Sequence, residues 1–392
     1  MKKTIFYFFF LFIVSSFLLS CGSNGTPPAE AKEMVKYPEK GEMQLLTDRP
    51  PQLETPLNIF RQDFTPNEYF FVRWHLSQIV TKIDVDTFRL YIGGAVDKPL
   101  ALSMNDLKTK FAADSIVALA ICSGNSRGTF NPKVPGTQWG NGAMGNARWK
   151  GVKLKDILAM AGVKPGALNV TFQGLDRAPL AGTPAFVKSL DIGHAIDGEV
   201  MVAYEMNGQP LPMLNGYPLK LVVPGWYATY WVGSLSNINV LTDTFHGFWM
   251  TKAYQVTKDP ALNESPDSLA KTTVPISNIN LHSIFVEPDA TQPVNAGKQC
   301  LIEGLAFNDG TGIQKVELSF DDGKTWNETR LNPELGKYSW RRWKYDWVPG
   351  AAGMYHLCVR ATDNNGHTQG NKQWNRSGYG RGFIEHLDVN VK

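Results

Sequence analysis

The sequence predicts a two-part α+β chain, a mixed α/β domain followed by an all-β, Ig-like sandwich. Three observations carry this. The chain has 392 residues, more than one ordinary domain holds. Hydrophobic residues make up 43% and charged residues 19%, enough apolar side chain for two cores. Helical periodicity occurs only in the first two thirds; from about Ser283 short strands alternate with turn clusters. The formal net charge of +3 gives no support for a nucleic-acid partner.

The elements follow in chain order. Lys2-Lys3, an apolar run from Ile5 to Leu19 and Ser20-Cys21-Gly22-Ser23 have the basic, apolar and small-residue regions of a secretory signal over residues 1–20. Phe17-Leu18-Leu19-Ser20-Cys21 resembles a bacterial lipobox, which implies a lipid on Cys21 and an exported protein anchored to the membrane on its periplasmic side. Gly22–Lys40 reads as a flexible tether, and the stretch 21–55 as a lead-in to the first domain. Residues 56–254 form that domain. Phe88–Ile92 alternates as a strand does and ends at Gly93-Gly94; Ser103-Met104-Asn105-Asp106 is a capping box opening a short helix. Leu154, Ile157, Leu158 and Ala161 fall at helical spacing, and Gly162 stops them. Val170–Phe172 and Lys220–Val223 are further strands. Residues 255–282 connect to the sandwich at 283–392, with strands expected over Cys300–Ala306, Ile313–Phe320, Tyr338–Trp347, Tyr355–Thr362 and Gly382–Val391. Cys300 and Cys358 are the simplest candidates for a disulfide, but the alternation Tyr355, Leu357, Val359, Ala361 turns Cys358 to the other face.

Cys122 raises the chemical question. The apolar run Ile116–Ile121 ends on it, the small residues Ser123-Gly124-Asn125-Ser126 follow, and then Arg127. A nucleophilic cysteine needs a base, and none of the seven histidines lies in a protease signature. A zinc site needs several ligands, and no CxxC or HxxxH exists. A single thiolate suffices on a soft metal whose other ligands come from an organic cofactor. A buried structural cysteine is the alternative, and residue types alone leave it open. Arg73 and His75 project to one side of an extended segment, and with Arg127 they suggest an anionic substrate or a phosphate-bearing cofactor.

These residues resemble the sulfite oxidase family of molybdenum enzymes. The resemblance rests on Phe71-Val-Arg-Trp-His75, Cys122-Ser-Gly-Asn-Ser-Arg127, Gly136-Thr-Gln-Trp139, Gly142–Leu154, Gly174-Leu-Asp176, Ala203–Gly208 and Gly216–Gly225, in family order from about Phe70 to Tyr254. The sandwich is similar to the family's Ig-like dimerisation domain, ending in Gln373-Trp-Asn-Arg376. Arg73-x-His75 and Gly225–Trp231 look closest to the bacterial sulfite dehydrogenase branch. The resemblance implies a molybdenum–molybdopterin cofactor with one pterin dithiolene, and Cys122 as the one protein ligand to the metal. Glycine and small side chains after Cys122 would let the backbone approach that cofactor. By the same resemblance Arg73, Arg127 and Trp139 form an oxyanion pocket, Tyr254 stands beside the metal, and Phe71, Arg73, His75, Asp176, Asn215 and Lys220 contact the pterin and its phosphate. Gly233 departs from the pattern where many members carry Lys, and Arg376, Ser377 and Arg381 compete for the position of a C-terminal substrate-binding Arg.

The activity so implied is oxidation of sulfite to sulfate. Arg73 and Arg127 would hold the anion, Tyr254 would hydrogen-bond beside the metal, and His75 would help move protons. The sequence has no CxxCH, so no haem attachment is expected in this chain, and electrons would pass to a separate cytochrome c-type carrier. A homodimer is implied by the family alone. Two other readings stay open: a reductase of sulfoxides or another oxyanion in the same family, and a non-enzymatic Ig-domain lipoprotein. Tyr204 reads as packing, Arg148 as a surface ion pair, and His194 with the remaining histidines as surface residues.

Overall fold

The later part of the lead-in expected over residues 21–55 is folded. The computed structural model describes residues 33–371 and 373–392, so the signal, Cys21 and the first part of the tether lie outside the described residues. Strands Met34–Lys36, Glu42–Thr47, Gln52–Glu54 and Val72–Arg73 pair antiparallel, in that order, into one sheet. Met43 and Leu53 are fully buried there beside Val72 and Trp74. The polar, Pro-containing composition hid these strands, because few apolar residues anchor each.

Two larger sheets build the rest of the first domain. One has the order Val187–Asp191, Asn169–Gly174, Leu235–Leu241, Leu90–Gly94, Leu100–Leu102, with a parallel pairing only between Leu235–Leu241 and Leu90–Gly94. The other has the order Gln209–Pro210, Met201–Met206, Met144–Lys153, Ala113–Ile121, and Lys220–Val222 joins it beside Met201–Met206. Ala113–Ile121 and Met144–Lys153 pair without interruption from Ala113↔Val152 to Ile121↔Met144. Helices are few and short, so the domain is mostly β rather than evenly mixed. Ser103 and Asp106 do form a reciprocal capping box on Met104–Thr109, and Leu154–Ala161 ends on Gly162 at φ 71°. In that helix Leu154, Ile157, Leu158 and Ala161 are the buried face, as their spacing predicts.

The C-terminal part is two four-stranded antiparallel sheets. Their strand orders are His282–Glu287, Cys300–Phe307, Arg341–Trp347, Arg330–Leu331 and Asn327–Glu328, Ile313–Ser319, Gly353–Asp363, Glu385–Val391. Phe285, Ile302 and Trp343 of the first meet Val316, Leu318, Leu357, Val359 and Val389 of the second in one apolar core. Cys358 lies outside that core on the opposite face, Cys300 has another partner strand, and both are free thiols. The disulfide does not form, for the reason the alternation gives.

This sandwich covers the open edge of the site-bearing sheet. Leu119 N–H donates to Tyr338 O (2.9 Å), so the edge strand ending at Cys122 is paired by a sandwich residue rather than by water. Trp340 packs edge-on to Phe60, ring centroids 5.3 Å apart. Arg342, 4% exposed, clamps the two parts: its guanidinium donates to Phe60 O, Gln62 O and Asp63 of the first and pairs with Glu303 of the second.

Candidate active site

The strand that carries Cys122 ends in a turn closed by Asn125 N–H donating to Cys122 O (2.9 Å). Asn125 Oδ1 accepts from Ala143 N–H (2.8 Å), and Ser126, at φ 64°, donates its N–H to Gly140 O (2.7 Å). The soft loop is therefore tied on both sides. Its glycine serves Arg127. A Cβ on Gly124 would stand 2.9 Å from the Arg127 guanidinium, and one on Gly136, at φ 109°, would stand 2.5 Å from it. Gly124 and Gly136 make room for a folded-back arginine, while Ser123 of the same loop faces the cavity beside Cys122.

Cys122 opens into a cavity of about 740 Å³ of empty space, its mouth included. Phe71, Arg73, His75, Asp176, Asn215, Lys220 and Tyr254 all line it, together with Ser123, Phe186 and Trp231. The close packing of Gly216 on Gly233 forms part of the wall: a Cβ on Gly216 would meet Gly233 Cα at 2.8 Å. Gly233 thus meets a backbone where a lysine is common in the family pattern.

Two of these residues are braced from behind. Asn215 Nδ2 donates to Phe71 O (2.9 Å), and its Oδ1 accepts from Lys40 Nζ, which also donates to Asn67 O and Phe70 O. Both ends of the Asn215 amide are engaged by protein, so its side chain shapes the wall. Lys220 Nζ donates to Asn215 O (3.2 Å).

The electrostatics set the protonation states. His75 Nε2 and Tyr254 OH are 2.6 Å apart. The His75 ring stacks on Phe186, centroids 3.5 Å apart. Burial first, then the cations Arg73, Lys188 and Lys220, hold the His75 pKa well below its usual range. His75 is a neutral imidazole, not the near-neutral proton carrier the sequence suggested. Burial pushes the Tyr254 phenol up, so it keeps its proton. Burial also raises the Asp176 carboxyl to about 6 and lowers Lys220 to about 8. Behind Tyr254 stands Lys188, 0% exposed, with Nζ 5.2 Å from the Tyr254 ring and 4.2 Å from that of Tyr230; burial lowers it to about 7.

Arg127 and Trp139 do not line the Cys122 cavity itself. Arg127 lines an adjoining hollow with Tyr254, Lys252, Arg376, Ser377 and Tyr379. Its guanidinium lies 4.8 Å over the Tyr379 ring and donates to Ser377 O and Thr137 O. Tyr254 is shared by the two spaces. Trp139 is buried in the core, lines neither space, and holds the loop by accepting from Gly128 N–H (2.8 Å). Arg376 pairs with Glu264 (2.5 Å) at the rim of the hollow. Arg381 is buried against Glu385 (2.5 Å) and His282, so His282 is not the surface residue expected. His194 is half-buried against Trp226, Tyr204 packs as expected, and Arg148 faces Phe64 instead of an acid.

Sequence reasoning missed Lys40, Lys188 and Tyr379. Tyr379 left a signal, since Gly378 and Gly380 flank it at φ 57° and 63°. Lys188 alternates with half-buried Val187 in its strand, and Lys40 sat in the supposed tether.

The cavity suits a bulky anionic cofactor. Ser123 Oγ is buried on its wall without a hydrogen-bond partner among the described residues. Among the described residues the Arg73 guanidinium has no ion pair either, and it donates to Trp74 O. Lys220 adds a cation, Asp176 an acceptor for ring N–H groups, and Cys122 a soft ligand atom.

Comparison with known proteins agrees. The oxidoreductase molybdopterin binding domain matches residues 76–249, and the Mo-co oxidoreductase dimerisation domain matches residues 273–381. Mitochondrial sulfite oxidase of Rattus norvegicus is 32% identical over 364 residues, covering 88% of this chain and 64% of the relative. Sulfite oxidase of Gallus gallus is 30% identical, covering 83% and 72%. The chain thus spans less than two thirds of the length of the mammalian relatives. The sulfane dehydrogenase SoxCD of Paracoccus pantotrophus has the same fold, with a TM-score of 0.75 at 24% identity and 96% of both chains covered. A non-enzymatic binding lipoprotein is excluded, because the chain belongs to the sulfite oxidase family of molybdopterin oxidoreductases.

Proposed function

We propose that this chain is an exported sulfite dehydrogenase that oxidises sulfite to sulfate and passes electrons to a separate cytochrome c-type acceptor. The observation that carries the reading is the convergence of Cys122, Arg73 and Tyr254 on one cavity, with Arg127 in the hollow on the other side of Tyr254. Cys122 Sγ would hold the molybdenum, while Phe71, Arg73, His75, Asp176, Asn215 and Lys220 would hold or frame the pterin and its phosphate. The bound cofactor would supply two-electron oxygen-atom transfer.

The chain's own residues then divide the work. Arg127 and Lys252 make the hollow cationic, which favours entry of a small anion, while Arg376 at its rim is paired with Glu264. Arg73 holds that anion at the Tyr254 wall, its charge uncompensated by a carboxylate. The Tyr254 phenol keeps its proton and can donate to a developing oxyanion. Neutral His75 fixes the phenol's direction through the 2.6 Å contact. Trp139 supports the Cys122–Arg127 loop from the core. The lipid on Cys21 would keep the enzyme at the membrane on the periplasmic side, and the C-terminal sandwich, an Ig-like module on this reading, would join two copies.

The nitrate reductase of Hordeum vulgare is 30% identical over 350 residues, covering 83% of this chain and 39% of that protein, so an oxyanion or sulfoxide reductase is the second reading. A two-way assay separates them. Sulfite-dependent reduction of cytochrome c, with no oxidation of a reduced dye by nitrate or sulfoxide, is expected. Dye oxidation without sulfite turnover would assign the reductase.

A further inference from the structure

Far from the cavity, the sandwich carries a second group of ligating atoms. On the sheet face turned away from the core, Ser319, Cys358 and His386 lie side by side across three strands, in the registers Ser319↔Cys358 and Cys358↔His386. The turn that follows Ser319 brings Asp322 over them. Asp321 ties that turn by accepting from the N–H groups of Lys324 and Thr325, and Asp322 itself sits at φ 60°. The Asp322 carboxylate is then left to Cys358 and His386, 3.8 Å from each, and Cys358 Sγ is 3.2 Å from His386 Nδ1.

We propose that Asp322, Cys358 and His386 bind a zinc-class divalent cation. The donor triangle has edges of 3.2, 3.8 and 3.8 Å. Tetrahedral zinc with ordinary bond lengths needs donors about 3.4–3.6 Å apart, so side-chain shifts of a few tenths of an ångström close the site. Thiolate, imidazole and carboxylate are the ligand types such a metal takes together. Cys358 is buried at the floor, whereas Asp322 and His386 are more than half exposed, so the fourth position faces solvent and water can fill it. One register step on, His356 Nδ1 pairs with Asp388 (2.7 Å) and lines the same face. Binding forms a metal–sulfur bond as the Cys358 thiol loses its proton to solvent, with no change of oxidation state. Among the described residues no other cluster combines three such ligands. The site is independent of the molybdenum reaction, and it accounts for a free thiol at a position where a disulfide is not formed.

The test is a Co(II) titration of the EDTA-washed, molybdenum-loaded protein, in which Cys122 is already engaged. One equivalent with a sulfur-to-cobalt charge-transfer band is expected, and equimolar Zn(II) should abolish it. Cys358→Ser should remove the band, and His386→Ala and Asp322→Asn should each weaken binding at least about tenfold, since losing a ligand costs no less than losing its supporting contact. Cys300→Ser should change nothing. The exposed His386 and Asp322 variants report even where Cys358→Ser fails to fold. A wild type without the band, or a band that survives Cys358→Ser, would overturn the assignment. So would equal affinity in the His386 and Asp322 variants.

Discussion

At the residue scale the account turns on Tyr254 and the groups that fix its proton. Tyr254→Phe removes one donor aimed at the reacting centre and should lower kcat by about 10²–10³-fold while molybdenum content stays unchanged. His75→Gln should lower kcat but leave the shape of the pH–rate profile between about pH 6 and 8 intact, because His75 is already neutral there. An inflection lost in that variant would contradict its neutrality. Lys188 offers a stability test. Its folded pKa, about 7, lies below its ordinary 10.5, so between those values the native state binds fewer protons than the unfolded one. Stability of the cofactor-free protein should therefore rise with pH across that window, by up to about 1.4 kcal/mol per pH unit from this group. Denaturant unfolding of Lys188→Met should show a correspondingly shallower pH slope. Most cavity residues were legible in the sequence because motifs carried them. Lys188 was not, since a lone lysine in a strand gives no sign that aromatic rings will enclose it.

Among the elements, the loop after Cys122 was legible in composition but not in purpose. Small residues announced a close approach, and the side chain of Arg127 is one group that makes it. Gly124→Ala puts a methyl group 2.9 Å from that guanidinium and should displace it from Tyr379. An increase in KM for sulfite with little change in kcat is expected in steady-state assays, since Arg127 lines the entry hollow rather than the cofactor cavity. Two helices were read correctly, Met104–Thr109 from its capping box and Leu154–Ala161 from its periodicity and terminal glycine, whereas the shorter Ile192–Ile196 and Phe248–Thr251 gave no such signal. The N-terminal sheet escaped because its strands are two to six residues long and gain their partners only in the fold. Edge pairing by Tyr338 is equally invisible, since it joins positions far apart in the chain.

Across the whole molecule, the sandwich and the first domain share one core, with Ile284, Leu305, Phe307 and Trp340 packed into the main cluster. Arg342 is the polar part of that union. Removing its guanidinium leaves Glu303, 8% exposed, with only Lys344 at 3.6 Å, and takes the donor from Phe60 O and Gln62 O. Arg342→Met should cost about 3–5 kcal/mol in chemical denaturation. The two-part plan could be read from the change in periodicity, but this clamp could not, because no local pattern links Asp63 to Arg342. The central claim is that Cys122 Sγ ligates molybdenum in this cavity. X-ray absorption at the molybdenum edge, on wild type and Cys122→Ser, tests it most directly. The account predicts one sulfur neighbour fewer in the variant, with sulfite oxidation lost. An unchanged sulfur count, or wild-type protein matured in a competent host without molybdenum, would contradict it.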